Sequence, residues 1–157
     1  MEENIVTKFY TAFKNLDAET MVSFYHDEVI FEDPAFGVLK GNEAKAMWRM
    51  LIGSQKGKRF DVTFSNIQQN GKIVTAQWEA KYEFGNSKRK IHNKIKATFL
   101  VENEKIVKHI DHFSLHAWAK QAVGLQGWVI GGTNLFKRNL NQQTRKMLNK
   151  YIEKQNH

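Results

Sequence analysis

The sequence predicts an α+β protein in which N-terminal helices pack on a strongly curved antiparallel sheet, followed by a C-terminal helical extension. Two changes of pattern carry this reading. Up to residue 52 apolar side chains recur at spacings of three and four, the period of one helix face. From residue 59 they alternate every second residue, the period of a strand with one buried side. Beyond residue 115, glycines break the chain and helical spacing returns.

Taken in order, Ile5, Val6, Phe9, Tyr10 and Phe13 draw an apolar stripe on a helix spanning 3–14. Asp17 is placed to cap a second helix carrying Met21, Val22, Phe24 and Tyr25. Val29, Ile30 and Phe31 form a short strand that stops at Pro34, and a third helix follows Gly41, over 42–52, with Ala44, Met47, Trp48 and Leu51 on one side. Phe60, Val62 and Phe64 begin the sheet proper, and Asn70-Gly71 is a strong hairpin signal. Strands over 72–84 and 89–102 alternate cleanly: Val74, Ala76, Trp78, Ala80, Tyr82 and Phe84 share one face, as do Ile91, Ile95, Ala97, Phe99 and Val101. A turn at 102–104 leads to a last strand over 105–115. Trp118, Ala122 and Val123 indicate a short helix, and Leu140, Met147, Leu148, Tyr151 and Ile152 a terminal one. Trp128, Val129, Ile130, Leu135 and Phe136 between them are expected to form a lid or a dimer contact.

With 157 residues the chain is expected to form one domain. It has no cysteine, which removes disulfides, thiolate nucleophiles and cysteine-rich zinc sites. Its start lacks the basic and apolar runs of a signal peptide, and no stretch is apolar enough to span a membrane, so a cytoplasmic location is expected. The net charge of +8 is concentrated after residue 115, where seven Lys and Arg face a single acid, Glu153. A solvated basic helix face accounts for this. No phosphate loop, zinc spacing or base-stacking motif accompanies it, so nucleic acid is not an expected partner.

Two carboxylates stand out. In the last strand, parity puts Val107, His109, Asp111 and Phe113 on one face, so Asp111 lies among apolar neighbours with His109 beside it. Phe31 and Asp33 share a face of the first strand, and Tyr10 lies on the stripe of helix one. A base, a hydroxyl donor and an apolar enclosure are what proton transfer beside a carbonyl, or activation of water on an epoxide-like carbon, requires. Asp33, Asp111, Tyr10 and His109 are therefore the expected catalytic residues. Trp48, Trp78, Tyr82, Phe99, Phe113 and Trp118 are the expected ligand wall. Each has a structural alternative: Asp33 as a turn residue bonding backbone amides, Asp111 and His109 as a buried pair, Tyr10 and the tryptophans as core. Neither a metal nor an organic cofactor is called for by these residues.

The runs Phe9-Tyr10-Thr11-Ala12-Phe13, Met21 through Pro34, Gly41 and Lys105-Ile106-Val107 leading to Asp111 resemble the NTF2-like superfamily, in particular its ketosteroid isomerase and polyketide-cyclase-like (SnoaL-like) group. The resemblance covers residues 4–115, with 116–157 similar to an extension seen in other members. It implies a cone-shaped fold enclosing a pocket for a small apolar molecule, and a homodimer. It places Tyr10 where isomerases keep an oxyanion tyrosine and Asp33 where they keep the base. Their third acid falls near Ala97, where none exists. Asp111 resembles instead the last-strand acid of cyclase-like and limonene-epoxide-hydrolase-like relatives, without the arginine and paired acid of the latter. An isomerase, cyclase, hydratase or hydrolase is implied, with a non-catalytic ligand-binding or protein-interaction domain as the alternative.

Overall fold

The computed structural model describes residues 3–124 and 131–156. Its elements are α1 (Ile5–Lys14), α2 (Ala18–Ser23), β1 (Tyr25–Asp33), β2 (Gly37–Lys40), α3 (Asn42–Gln55), β3 (Phe60–Asn70), β4 (Ile73–Phe84), β5 (Arg89–Glu102), β6 (Lys105–His112) and α4 (Leu115–Val123), then α5 (Asn134–Gln155). Trp128, Val129 and Ile130, expected in a lid or contact, lie outside the described residues.

Side-chain caps start these helices: Asp17 caps where the sequence indicated, while Asn4 and Ser114 cap at positions expected inside a helix and inside a strand. Asn4 caps α1 by accepting from the Val6 amide at 2.8 Å, Asp17 caps α2 through Thr20, and Ser114 caps α4 through Ala117. The apolar stripe of α1 is buried: Val6, Phe9, Tyr10 and Phe13 all face the sheet. Helix α3 runs three residues past the expected end, and its Met47 and Trp48 complete the same core.

The strands form one six-stranded sheet in the order β2-β1-β6-β5-β4-β3. The expected strongly curved antiparallel sheet is corrected on both counts. The sheet is mixed, because β1 and β6 pair in parallel, and it is not strongly curled. Counting reversals explains the direction. One hairpin reverses the chain from β1 to β2, α3 carries it to the far edge, and three further hairpins return β6 beside β1 pointing the same way. A period-2 pattern reports which side of a strand is buried and is silent about which strand lies next to it. Enclosure comes from helices laid over the sheet.

Turn chemistry sets the hairpins. Asn70 pairs with Ile73, so the loop residues are Gly71 and Lys72, with φ +63° at Gly71, as a Gly-X hairpin loop requires. Asn103 and Glu104 both have positive φ, the I′ pattern. Two strand boundaries differ from expectation. β1 reaches back to Tyr25, and β6 stops at His112 because Ser114 begins the cap of α4. A register shift opposite Leu100 and Val101 also changes the parity of β6. Ile106 is buried and Val107 only partly so, while His109 and Asp111 keep the inner face.

Candidate active site

A cavity of about 540 Å³ lies between the inner sheet face and the helices. Trp78, Ala80, Tyr82, Asn93, Ile95 and Asp111 form its sheet wall; Phe13, Met47, Trp48 and Leu51 line it from α1 and α3. The turn after β1 contributes Asp33, Ala35 and Phe36, and α5 contributes Leu140, Gln143, Thr144 and Met147. Phe113 and Trp118 also line it, with the Trp118 indole N–H donating to Tyr82 Oη at 3.0 Å. Burial raises the Tyr82 phenol above its usual range, against the opposing effect of that bond.

Asp111 is held by side chains. The Trp48 indole N–H donates to Tyr25 Oη at 2.8 Å, and Tyr25 Oη lies 2.7 Å from His109 Nδ1. His109 Nε2 then lies 2.8 Å from Asp111 Oδ1. Burial keeps the Tyr25 phenol protonated by raising it well above its usual range. Since Tyr25 accepts from Trp48, its own proton is directed at His109, which assigns Nδ1 as acceptor and Nε2 as donor to the carboxylate. A second indole, Trp78 Nε1, sits 3.4 Å from the same oxygen. The ring of His109 is fully buried between Phe99, 4.1 Å away and stacked, and Trp48, nearly parallel at 6.2 Å. Among the described residues, no hydrogen bond uses Asp111 Oδ2, the oxygen left for the cavity.

Asp33 is held by backbone. Its Oδ1 accepts from the Ala35 amide at 2.9 Å and from the Phe36 amide at 2.7 Å, the Asx-type turn that Asp before Pro favours. Burial pushes its carboxyl up to about 7, Asp111 adds to the rise by repulsion, and the two amides oppose it. Oδ2 takes no hydrogen bond among the described residues, so it too is left for the cavity.

Seven residues singled out from sequence meet on this wall: Asp33, Asp111, Trp48, Trp78, Tyr82, Phe113 and Trp118. His109 and Phe99 lie directly behind it. Tyr10 is not brought to the cavity. Its ring stacks on Phe64 of β3 at 5.5 Å, and its buried hydroxyl has no hydrogen-bond partner among the described residues. Sequence reasoning missed Tyr25, whose strand shifts register between Tyr25 and Ile30 and so loses its period-2 signal. It also missed Gln143 and Thr144, polar positions on a basic helix. Among the described residues no group of three or more His, Cys, Asp or Glu is placed to hold a metal, and no helix is long and apolar enough to cross a membrane.

Helices over one face of a mixed sheet, with two acids lining the apolar hollow between them, define an α+β fold with an internal cavity. Residues 6–109 match the SnoaL-like domain family, and the chain belongs to it. Solved structures agree on the fold. TerC, co-crystallized with polyporic acid, superposes with a TM-score of 0.63 at 14% identity, covering 74% of this chain and 94% of its own. An LEH-like epoxide hydrolase of M. tuberculosis gives 0.61 at 21% identity, covering 80% and 92%. A putative polyketide cyclase of Pseudomonas putida gives 0.60 at 17% identity, covering 76% and 96%. No curated protein matches the chain in sequence.

Proposed function

We propose that this protein binds a small, mostly apolar molecule bearing a carbonyl, hydroxyl or epoxide-like oxygen and converts it by carboxyl acid–base chemistry, as an isomerase, cyclase or hydrolase. The observation that carries this is the pairing of Asp33 and Asp111 on one cavity wall, each with Oδ1 held and Oδ2 left for a ligand. A carboxyl raised to about 7 exchanges its proton readily at neutral pH, the property a general acid or base needs. Asp33 moves the proton at Oδ2. Asp111 orients a substrate hydroxyl or a water, its own position set by His109. Trp48, Trp78, Tyr82, Phe113 and Trp118 exclude solvent and pack the apolar body of the substrate.

The test is a thermal-shift and turnover screen of apolar carbonyl, lactone and epoxide compounds against the parent, Asp33→Asn and Asp111→Asn. Asp33→Asn is expected to keep ligand binding and lose turnover by about 10²–10⁴-fold, the usual worth of a general acid–base group. Parent-like turnover in Asp33→Asn removes the catalytic reading and leaves a binding domain. The homodimer implied by the family has support in Ile30, Val38 and Ile73, which are 37%, 42% and 42% exposed on the outer sheet face. Sedimentation equilibrium checks it, and a monomer at all concentrations would reject it.

A further inference from the structure

The turn that holds Asp33 is gripped from its far side by α5. The Asn141 side-chain amide donates to the carbonyls of Pro34 and Ala35, both at 2.9 Å, and Thr144 Oγ1 donates to the Ala35 carbonyl at 2.9 Å while also lying 3.1 Å from its own helix carbonyl at Asn141. These two carbonyls belong to the same two peptide groups whose N–H ends bond Asp33 Oδ1. A peptide group is planar and rigid, and in the trans form its N–H and C=O point in opposite directions. Each plane is therefore pinned at both ends: N–H on the carboxylate, C=O on the helix.

We propose that Asn141 and Thr144 are positioning residues for the acid–base group, holding in place the two peptide planes that fix Asp33 Oδ1 and turn Oδ2 to the cavity. The inference rests on Asp33 being that group. Three observations support it. Thr144 is only 9% exposed, so its hydroxyl bonds compete little with water. Gly37 closes the turn at φ +73°, and a Cβ there would lie 2.9 Å from Asn141 Oδ1, so the space beside Gly37 is occupied by the Asn141 side chain. Helix α5 also has anchors that do not involve this turn. Arg145 bonds Glu43 and the Val38 carbonyl, and Leu148 is fully buried. Loss of one clamp residue therefore leaves the helix seated and loosens only the planes.

Loosened planes donate less well to the carboxylate, which favours its protonated form. The other charges around the cavity stay as they are: Asp111 on the neighbouring strand β6, Glu32 beside Asp33 on β1, Lys58 and Glu83 on the cavity wall, and the Arg145–Glu43 pair behind. The experiment is a ¹³C-carboxyl titration of Asp33 in the full chain, with the signal assigned by its loss in Asp33→Asn. Asn141→Ala is expected to raise the Asp33 midpoint by about one pH unit, the scale of one to two net hydrogen bonds. Thr144→Val raises it by less, and Thr144→Ser, which keeps the hydroxyl, restores the parent value. Midpoints equal to the parent, or lower, in Asn141→Ala and Thr144→Val overturn the inference; a lower one would mean that the helix acts only as a shield from water. If Asn141→Ala does not fold, the Thr144→Val and Thr144→Ser pair decides. A parent midpoint in the ordinary carboxylate range would instead refute Asp33 as the acid–base group, which separates the two failures.

Discussion

Asp33 and Asp111 face the same cavity, yet one is held by main chain and the other by side chains. Asp33 sits on a turn, its Oδ1 bonded by two amides that a neighbouring helix steadies from behind. Asp111 sits in mid-sheet at the end of a buried chain of Trp48, Tyr25 and His109. The first arrangement leaves a carboxyl half-buried and balanced near neutrality, since amides and burial pull in opposite directions. In the second the chain is built into the core, so its disruption is felt as folding free energy. On the proposed acid–base reading, the carboxyl that changes protonation is Asp33, held on a turn, while Asp111 is tied into the packing that holds the fold.

The largest expected effect breaks the side-chain arm. His109→Ala leaves the Tyr25 hydroxyl proton without an acceptor and Asp111 Oδ1 with only the Trp78 N–H at 3.4 Å, and each buried polar group left unsatisfied costs about 1–3 kcal/mol. Urea denaturation measures it, and a loss below about 1 kcal/mol would show that Trp78 alone suffices to hold Asp111. The next effect sharpens the backbone arm. The folded-state value for Asp33, about 7, lies above the ordinary ~3.9 of an aspartate, so between these the folded protein binds the extra proton. The stabilisation it brings is complete below about pH 4 and is lost as pH rises through 7. Asp33→Asn is expected to remove this slope and to be more stable than the parent at pH 8 by on the order of 2 kcal/mol. Identical stability of the two proteins from pH 4 to 8 would mean that Asp33 titrates normally. The smallest effect lies outside both arms. Tyr10→Phe removes a buried hydroxyl without a partner and is expected to leave turnover unchanged while gaining about 1 kcal/mol. A loss of turnover there would return Tyr10 to the site.

Much of this was legible in the chain. The helix cap at Asp17, the alternation of β4 and β5, and the inner-face parity of His109 and Asp111 are local matters, set by propensity and period. Asp33 and Asp111 were singled out because an acid beside apolar neighbours needs a reason. Tyr10 shows where that logic stops: an apolar stripe tells that a tyrosine is buried, and the depth at which its hydroxyl ends depends on how closely α1 approaches β3. The parallel pairing of β1 with β6 was equally invisible, since strand period carries no direction.

By itself the sequence determined helices α1 and α3, the long strands β3 to β5 with their buried faces, and that two carboxyls would be turned inward, because these follow from side-chain spacing along one element. Only the tertiary structure decided that both acids share one cavity, that Tyr25 joins His109 to Trp48, and that α5 steadies the Asp33 turn. Those contacts join residues 84, 23 and more than 100 positions apart, and hydrogen bonds between distant elements are selected by how the layers pack and leave no periodic trace in the chain.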